Sequence, residues 1–189
     1  MMKLFVAGSI RLDFLSSEVV SLIEKHKNDG TTFLVGDAPG IDRAFQQLLA
    51  KDQYPAVTVF TSSSSVRHNL GEWETYFVPS GLKSSGHASH AIKDRRMSSM
   101  ADAGLMVWDA TSTGTLANAL DLVGDGKHCV ISIEGRLKSL KTFAAEGDFA
   151  ELESQVPAVF AEARKRLLQS RKRLRKILEQ QNGILDLEW

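Results

Sequence analysis

The chain has 189 residues, 23 basic against 23 acidic side chains and an apolar fraction of 43%, the makeup of a globular protein with a sizeable core. No apolar run approaches the ~20 residues of a membrane-spanning helix, so no membrane partner is expected, and the single cysteine, Cys129, excludes an internal disulfide and fits a reducing, cytoplasmic compartment. The neutral total conceals an asymmetry: residues 156–189 carry eight cations against four acids, and the remainder is acidic in compensation.

The N-terminal run "KLFVAG" (3–8) reads as a strand rather than a signal peptide. Val19, Val20, Leu22 and Ile23 then fall at helical spacing, with Ser16 and Ser17 as caps and Gly30 as the stop. A second strand, "TFLVG" (32–36), precedes a helix carrying Ile41, Ala44, Phe45, Leu48 and Leu49. After a third strand, "AVTVFT" (56–61), comes a long Ser- and Gly-rich stretch, 62–87, read as an irregular lid or binding loop. Trp73 and Phe77 in that stretch suit packing better than stacking on a base. Helical spacing returns with Ala91, Ile92, Met97 and Met100, followed by the strand "GLMVWD" (104–109) and a helix with Leu116, Ala119, Leu120 and Val123. The run "HCVISI" (128–133) is a fifth strand, with Cys129 as a small buried hydrophobe. This alternation predicts an α/β, Rossmann-like, doubly wound and mainly parallel sheet of at least five strands over residues 1–135.

Residues 136–189 predict a C-terminal extension: a short strand (137–143), a helix (148–155), and a long basic helix from Pro157 to about Gln181. Phe160, Ala163, Leu167, Leu174 and Ile177 form a narrow apolar stripe with charge on most other directions. Such a helix docks on its own chain or in a homodimer or higher oligomer. Nucleic-acid binding is the weaker reading, because the cations lack interleaved aromatics. The closing "ILDLEW" reads as apolar enough to pack.

In open parallel sheets ligands bind where the carboxyl ends of strands feed helix N-termini. Three glycine-bearing loops occupy such places: Gly8, Ser9 and Arg11; Gly36, Asp37, Gly40 and Asp42; and Asp109, Ser112, Thr113, Gly114 and Thr115. Taken singly, Asp37, Thr113 and Thr115 suit helix caps. Taken together, the loops predict one crevice for a nucleotide or a sugar phosphate, with the phosphate on residues 112–115 and, for a nucleotide, a ribose or base near the first two strands. His68, His87 and His90 do not make a metal-ligand set, so no metal site is expected.

The segments "AGSI", "VGDAPGID", "IKDRRM" and "ADAGLMVWDATSTGT" run in the order and spacing of the SLOG superfamily. The chain most resembles its YspA/YpsA-like members, relatives of the DprA and LOG Rossmann-like proteins. The resemblance covers roughly residues 3–133, and the "GSIR" start is also similar to nucleoside deoxyribosyltransferases. It implies a small nucleotide ligand, adds Lys93 to the binding residues, and requires no further cofactor. Three positions depart from the pattern. Ile10 stands where an Arg is usual, Lys93-Asp94 replaces an Arg-Asn pair, and Asn118 occupies the place of the LOG catalytic glutamate. An amide cannot act as carboxylate nucleophile or base; Asp37, Asp94, Glu72 and Glu74 are the candidates to replace it. The leading expectation is therefore a nucleotide sensor or sequestering protein. The alternatives are an N-glycosidic hydrolase acting on a nucleoside monophosphate or NAD-like nucleotide, and DprA-like nucleic-acid binding.

Overall fold

The computed structural model describes residues 1–79, 87–140 and 146–185. Six parallel strands form the sheet: β1 (Lys3–Gly8), β2 (Thr32–Gly36), β3 (Val57–Thr61), β4 (Glu74–Phe77), β5 (Ala103–Trp108) and β6 (His128–Ile133). A seventh, β7 (Arg136–Leu140), pairs antiparallel to β6, and the order is β4-β3-β2-β1-β5-β6-β7. The chain builds outward from β1 in one direction and then, from β5, in the other. The switch between β1 and β5 is where loops diverge and a ligand crevice opens.

Strand periodicity splits the core between the two faces of the sheet. Leu4, Val6, Phe33, Val35 and Val59 face α1 (Ser17–Asn28) and α2 (Ile41–Lys51), which contribute Val19, Ile23, Phe45 and Leu49. Phe5, Leu34, Phe60, Met106 and Ile131 face the opposite layer of α3 (His87–Met100), α4 (Thr113–Gly124) and α6 (Pro157–Leu185). Both layers are buried, which is why the strands read as continuous apolar runs. Cys129 is fully buried in β6, and burial pushes its thiol up to about 12, so it packs and does not react.

The predicted Rossmann-like, doubly wound sheet with a C-terminal helical extension is the observed fold. Two elements differ from expectation. The stretch 62–87 is not wholly irregular: Glu74–Phe77 extends the sheet beside β3. The strand expected over 137–143 is a hairpin strand, Arg136–Leu140, entered by a two-residue turn with positive φ at both Glu134 and Gly135, as a tight hairpin requires. Residues 141–143 of that expectation, 80–86 of the long loop and 186–189 of "ILDLEW" lie outside the described residues.

Helix α5 (Glu146–Gln155) leads into α6, which lies against α3 and α4. Phe160, Ala163 and Leu174 of the predicted stripe are buried in the same cluster as Trp108, Leu116 and Ile92. The long basic helix thus docks on its own chain. Among the described residues no helix is long and apolar enough to cross a membrane.

Candidate nucleotide crevice

Ser9 ties the three carboxyl-end loops together. It is fully buried, its N–H donates to Val107 O at 2.9 Å, and its hydroxyl accepts the Asp109 N–H at 3.1 Å. Its carbonyl accepts the Ile41 N–H at 3.4 Å. One serine therefore joins the ends of β1 and β5 to the start of α2. Gly8 permits this approach, because a Cβ there would strike Val107 O and the Ile41 side chain. Gly40, with φ of 78°, begins α2, and a Cβ on it would lie 2.6 Å from Ile10 Cα. Gly36 leaves the space taken by the Asp42 carboxyl and the Lys93 ammonium. Ser9, Gly36 and Gly40 shape the crevice from behind rather than lining it.

The crevice encloses about 300 Å³. Of the residues expected there, Gly8, Arg11, Asp42, Lys93, Asp94, Asp109, Ser112, Thr113, Gly114 and Thr115 line it. Asp37 does not cap α2 as its position suggested. It is buried beneath the crevice, where Arg67 Nη2 donates to Oδ1 at 2.7 Å and Thr61 Oγ1 donates to Oδ2 at 2.9 Å. Burial alone would raise its pKa, but Arg67, Lys93 and Thr61 together hold it below the ordinary value.

At the β5 end, Asp109 Oδ1 accepts the N–H groups of Thr111 (3.0 Å) and Ser112 (2.7 Å). Ala110 between them takes φ of 58°, the left-handed conformation that folds the loop back on the carboxylate. Burial pushes Asp109 up, but the Ser112 and Thr111 N–H groups outweigh it and its pKa falls. Ser112 is the N-cap of α4 and supplies no side-chain cap among the described residues. The first-turn N–H groups at Thr113, Gly114 and Thr115 consequently open the helix toward the crevice without a capping oxygen, the arrangement that favours an anion.

Four cationic side chains line the same space: Arg11, Arg67, Lys93 and Arg166. Three acids line it too, and two of them are held by neighbouring groups. Asp109 Oδ1 is engaged by its own loop, whereas its Oδ2 is buried without a hydrogen-bond partner among the described residues. Asp94 lies 3.6 Å from Lys93 Nζ and accepts from Asn118 Nδ2 at 3.4 Å. Asp42 is raised to about 7, chiefly by burial, against the opposing pull of Lys93. His90 is half-buried with its Nδ1 3.3 Å from Ser62 Oγ; burial first, then Arg67 and Lys93, lower its pKa. Near neutral pH the imidazole is uncharged.

Asn118 is buried and clamped: its Oδ1 accepts from the Arg95 guanidinium while its amide nitrogen donates to Asp94. Trp73 packs against the α1–α2 layer and donates from Nε1 to Tyr54 O at 2.8 Å, and Phe77 sits exposed on β4; neither is in the crevice. Sequence reasoning missed Arg67, His90 and Arg166. Arg67 acts through Asp37, thirty residues away, and Arg166 comes from the extension. Among the described residues no group of three or more His, Cys, Asp or Glu could hold a metal ion.

No protein-family model matches the chain, and no curated protein matches it. Among solved structures the fold is similar to that of DNA processing protein A from Helicobacter pylori, at 15% sequence identity and a TM-score of 0.52. The likeness covers 85% of this chain and 81% of that one. That protein binds single-stranded DNA. At this identity the likeness establishes a shared Rossmann-like fold.

Proposed function

We propose that the protein binds a small nucleotide or nucleotide-derived phosphate ligand at the β1–β5 switch point, in a sensing or sequestering role. The observation that carries this reading is the convergence of an uncapped α4 first turn and four cationic side chains on one crevice, where Asp94 and Asp109 Oδ1 are held by neighbouring groups. Binding without cleavage is favoured by Asn118, fixed by Arg95 and Asp94 where the resembling hydrolases hold a glutamate. Incubation with nucleoside monophosphates, NAD and ADP-ribose, followed by chromatography, distinguishes the two. Intact ligand at the end of the incubation is expected. Release of free base, lost in Asp94→Asn, would make the crevice that of an N-glycosidic hydrolase.

A second reading, binding of single-stranded nucleic acid, draws on the fold shared with the DNA-binding protein above and on the exposed Lys172, Arg173 and Lys176 of α6. Against it, Arg164, Lys165, Arg171 and Arg175 of the same helix are paired with Glu153, Glu162, Asp121 and Glu179. Salt-sensitive single-strand binding, abolished by neutralising residues 172, 173 and 176, would establish it.

A further inference from the structure

The rotation of α6 is fixed by its buried stripe, and that rotation delivers one basic side chain to the crevice. Phe160 and Ala163 are wholly buried and Leu174 nearly so. Arg171 on the same helix pairs with Asp121 of α4. Arg166, between these anchors, lies against the α4 N-terminus: a Cβ on Gly114 would be 3.6 Å from its guanidinium carbon and 3.6 Å from Nη2. A guanidinium and a row of helix N–H groups side by side form a fork suited to the oxygens of a phosphate monoester.

A separate observation concerns the buried charge on the floor of the same crevice. The Lys93 side chain is 3% exposed, and its ammonium lies 3.6 Å from Asp94 and 3.9 Å from Asp37. Both contacts are longer than a hydrogen bond, and a buried ammonium has three donors to satisfy. A phosphate oxygen in the crevice would add an acceptor to these two long ion pairs.

We infer that Arg166 is the phosphate-recognising residue of the crevice, so that the C-terminal helix is part of the ligand site and selects nucleoside 5′-phosphates over nucleosides. The inference rests on the nucleotide reading of the crevice. Because the guanidinium reaches the ligand only while α6 is docked, ligand binding and α6 docking strengthen each other reciprocally. Arg166 also lines the groove between α3 and α6, with Ala88, Ala91, Gln169 and Arg173. Arg173 is exposed there, away from the crevice, and serves as the control.

The test is calorimetric titration of AMP, GMP, CMP and UMP and their nucleosides into wild type, Arg166→Ala, Arg166→Lys and Arg173→Ala. Wild type and Arg173→Ala are expected to prefer the monophosphate by about tenfold or more, the worth of a charge-assisted contact. Arg166→Ala loses most of that preference, and Arg166→Lys recovers part of it. A preference retained in Arg166→Ala overturns the inference and leaves the nucleotide crevice standing. Wild type that binds none of the panel removes the nucleotide reading and this inference with it. Hydrogen exchange on the wild-type protein checks the same claim should Arg166→Ala fail to fold. Slower exchange over residues 160–170 with the monophosphate, but not the nucleoside, supports the inference; unchanged exchange contradicts it.

Discussion

Asp42 illustrates how the crevice sets the charge of its own residues. Burial raises its carboxyl to about 7 while the neighbouring Lys93 ammonium pulls the other way. An unfolded aspartate ionises near pH ~3.9, so between about 4 and about 7 the folded state holds the extra proton. Stability therefore falls as pH rises through that window. Asp37 and Asp109, held low, act only below it, whereas His90, lowered below 6.5, adds stability with rising pH in its upper part. Asp42→Asn isolates the effect. The variant should gain on wild type by a few kcal/mol as pH is raised from about 4.5 to about 8, measured by urea denaturation. Parallel curves would mean that Asp42 ionises normally. Several crevice-lining residues were legible at this scale because loop glycines and hydroxyls announce themselves locally. The role of Asp37 was not: capping is a short-range rule, while its actual partners, Thr61 and Arg67, arrive from β3 and the loop beyond it.

Among the elements, the strands buried on both faces and the antiparallel edge strand β7 were readable, and the parallel edge strand β4 was not. β1, β2, β3, β5 and β6 are apolar runs because helices cover both sides. β4 is four residues at the sheet edge, with Glu74, Thr75 and Phe77 exposed. Its extended form is set by pairing to β3 and by the loop before it, which buried Gln46 of α2 holds by donating to His68 O and accepting from Leu70 N–H. Neither leaves a periodic trace. The stripe of α6 was visible, but its cis partner was not, because that choice rests on side chains distributed over α3 and α4. The Arg95–Asp121–Arg171 cluster is one such fixture. Arg95 and Asp121 are each 3% exposed with Nε and Oδ2 3.3 Å apart, Arg95 Nε finds no hydrogen-bond partner among the described residues, and Arg171 is 42% exposed. Asp121→Ala strands a buried guanidinium and should cost about 3–5 kcal/mol. Arg171→Ala leaves Asp121 paired with Arg95 and should cost about 1 kcal/mol. Chemical denaturation of both variants checks the ranking; equal losses would show that α6 docking, rather than the buried pair, carries the energy.

For the whole molecule, the topology accounts for the site. Reversal of strand order between β1 and β5 opens the crevice, Ser9 fixes its loops, and α4 points its first turn into it. The extension packs into the same core and brings Arg166 alongside Gly114. A side chain at residue 114 should therefore fill the proposed anion site while disturbing little else, since its Cβ meets Arg166 only at ordinary contact distance. The most direct test of nucleotide binding in this crevice is calorimetric titration of a nucleoside monophosphate into wild type and Gly114→Val, with circular dichroism to verify the fold. The account predicts one site per chain in wild type and a loss of about a hundredfold or more in the variant, equivalent to roughly 2.7 kcal/mol, at unchanged helical signal. Equal affinity in the two proteins would contradict it.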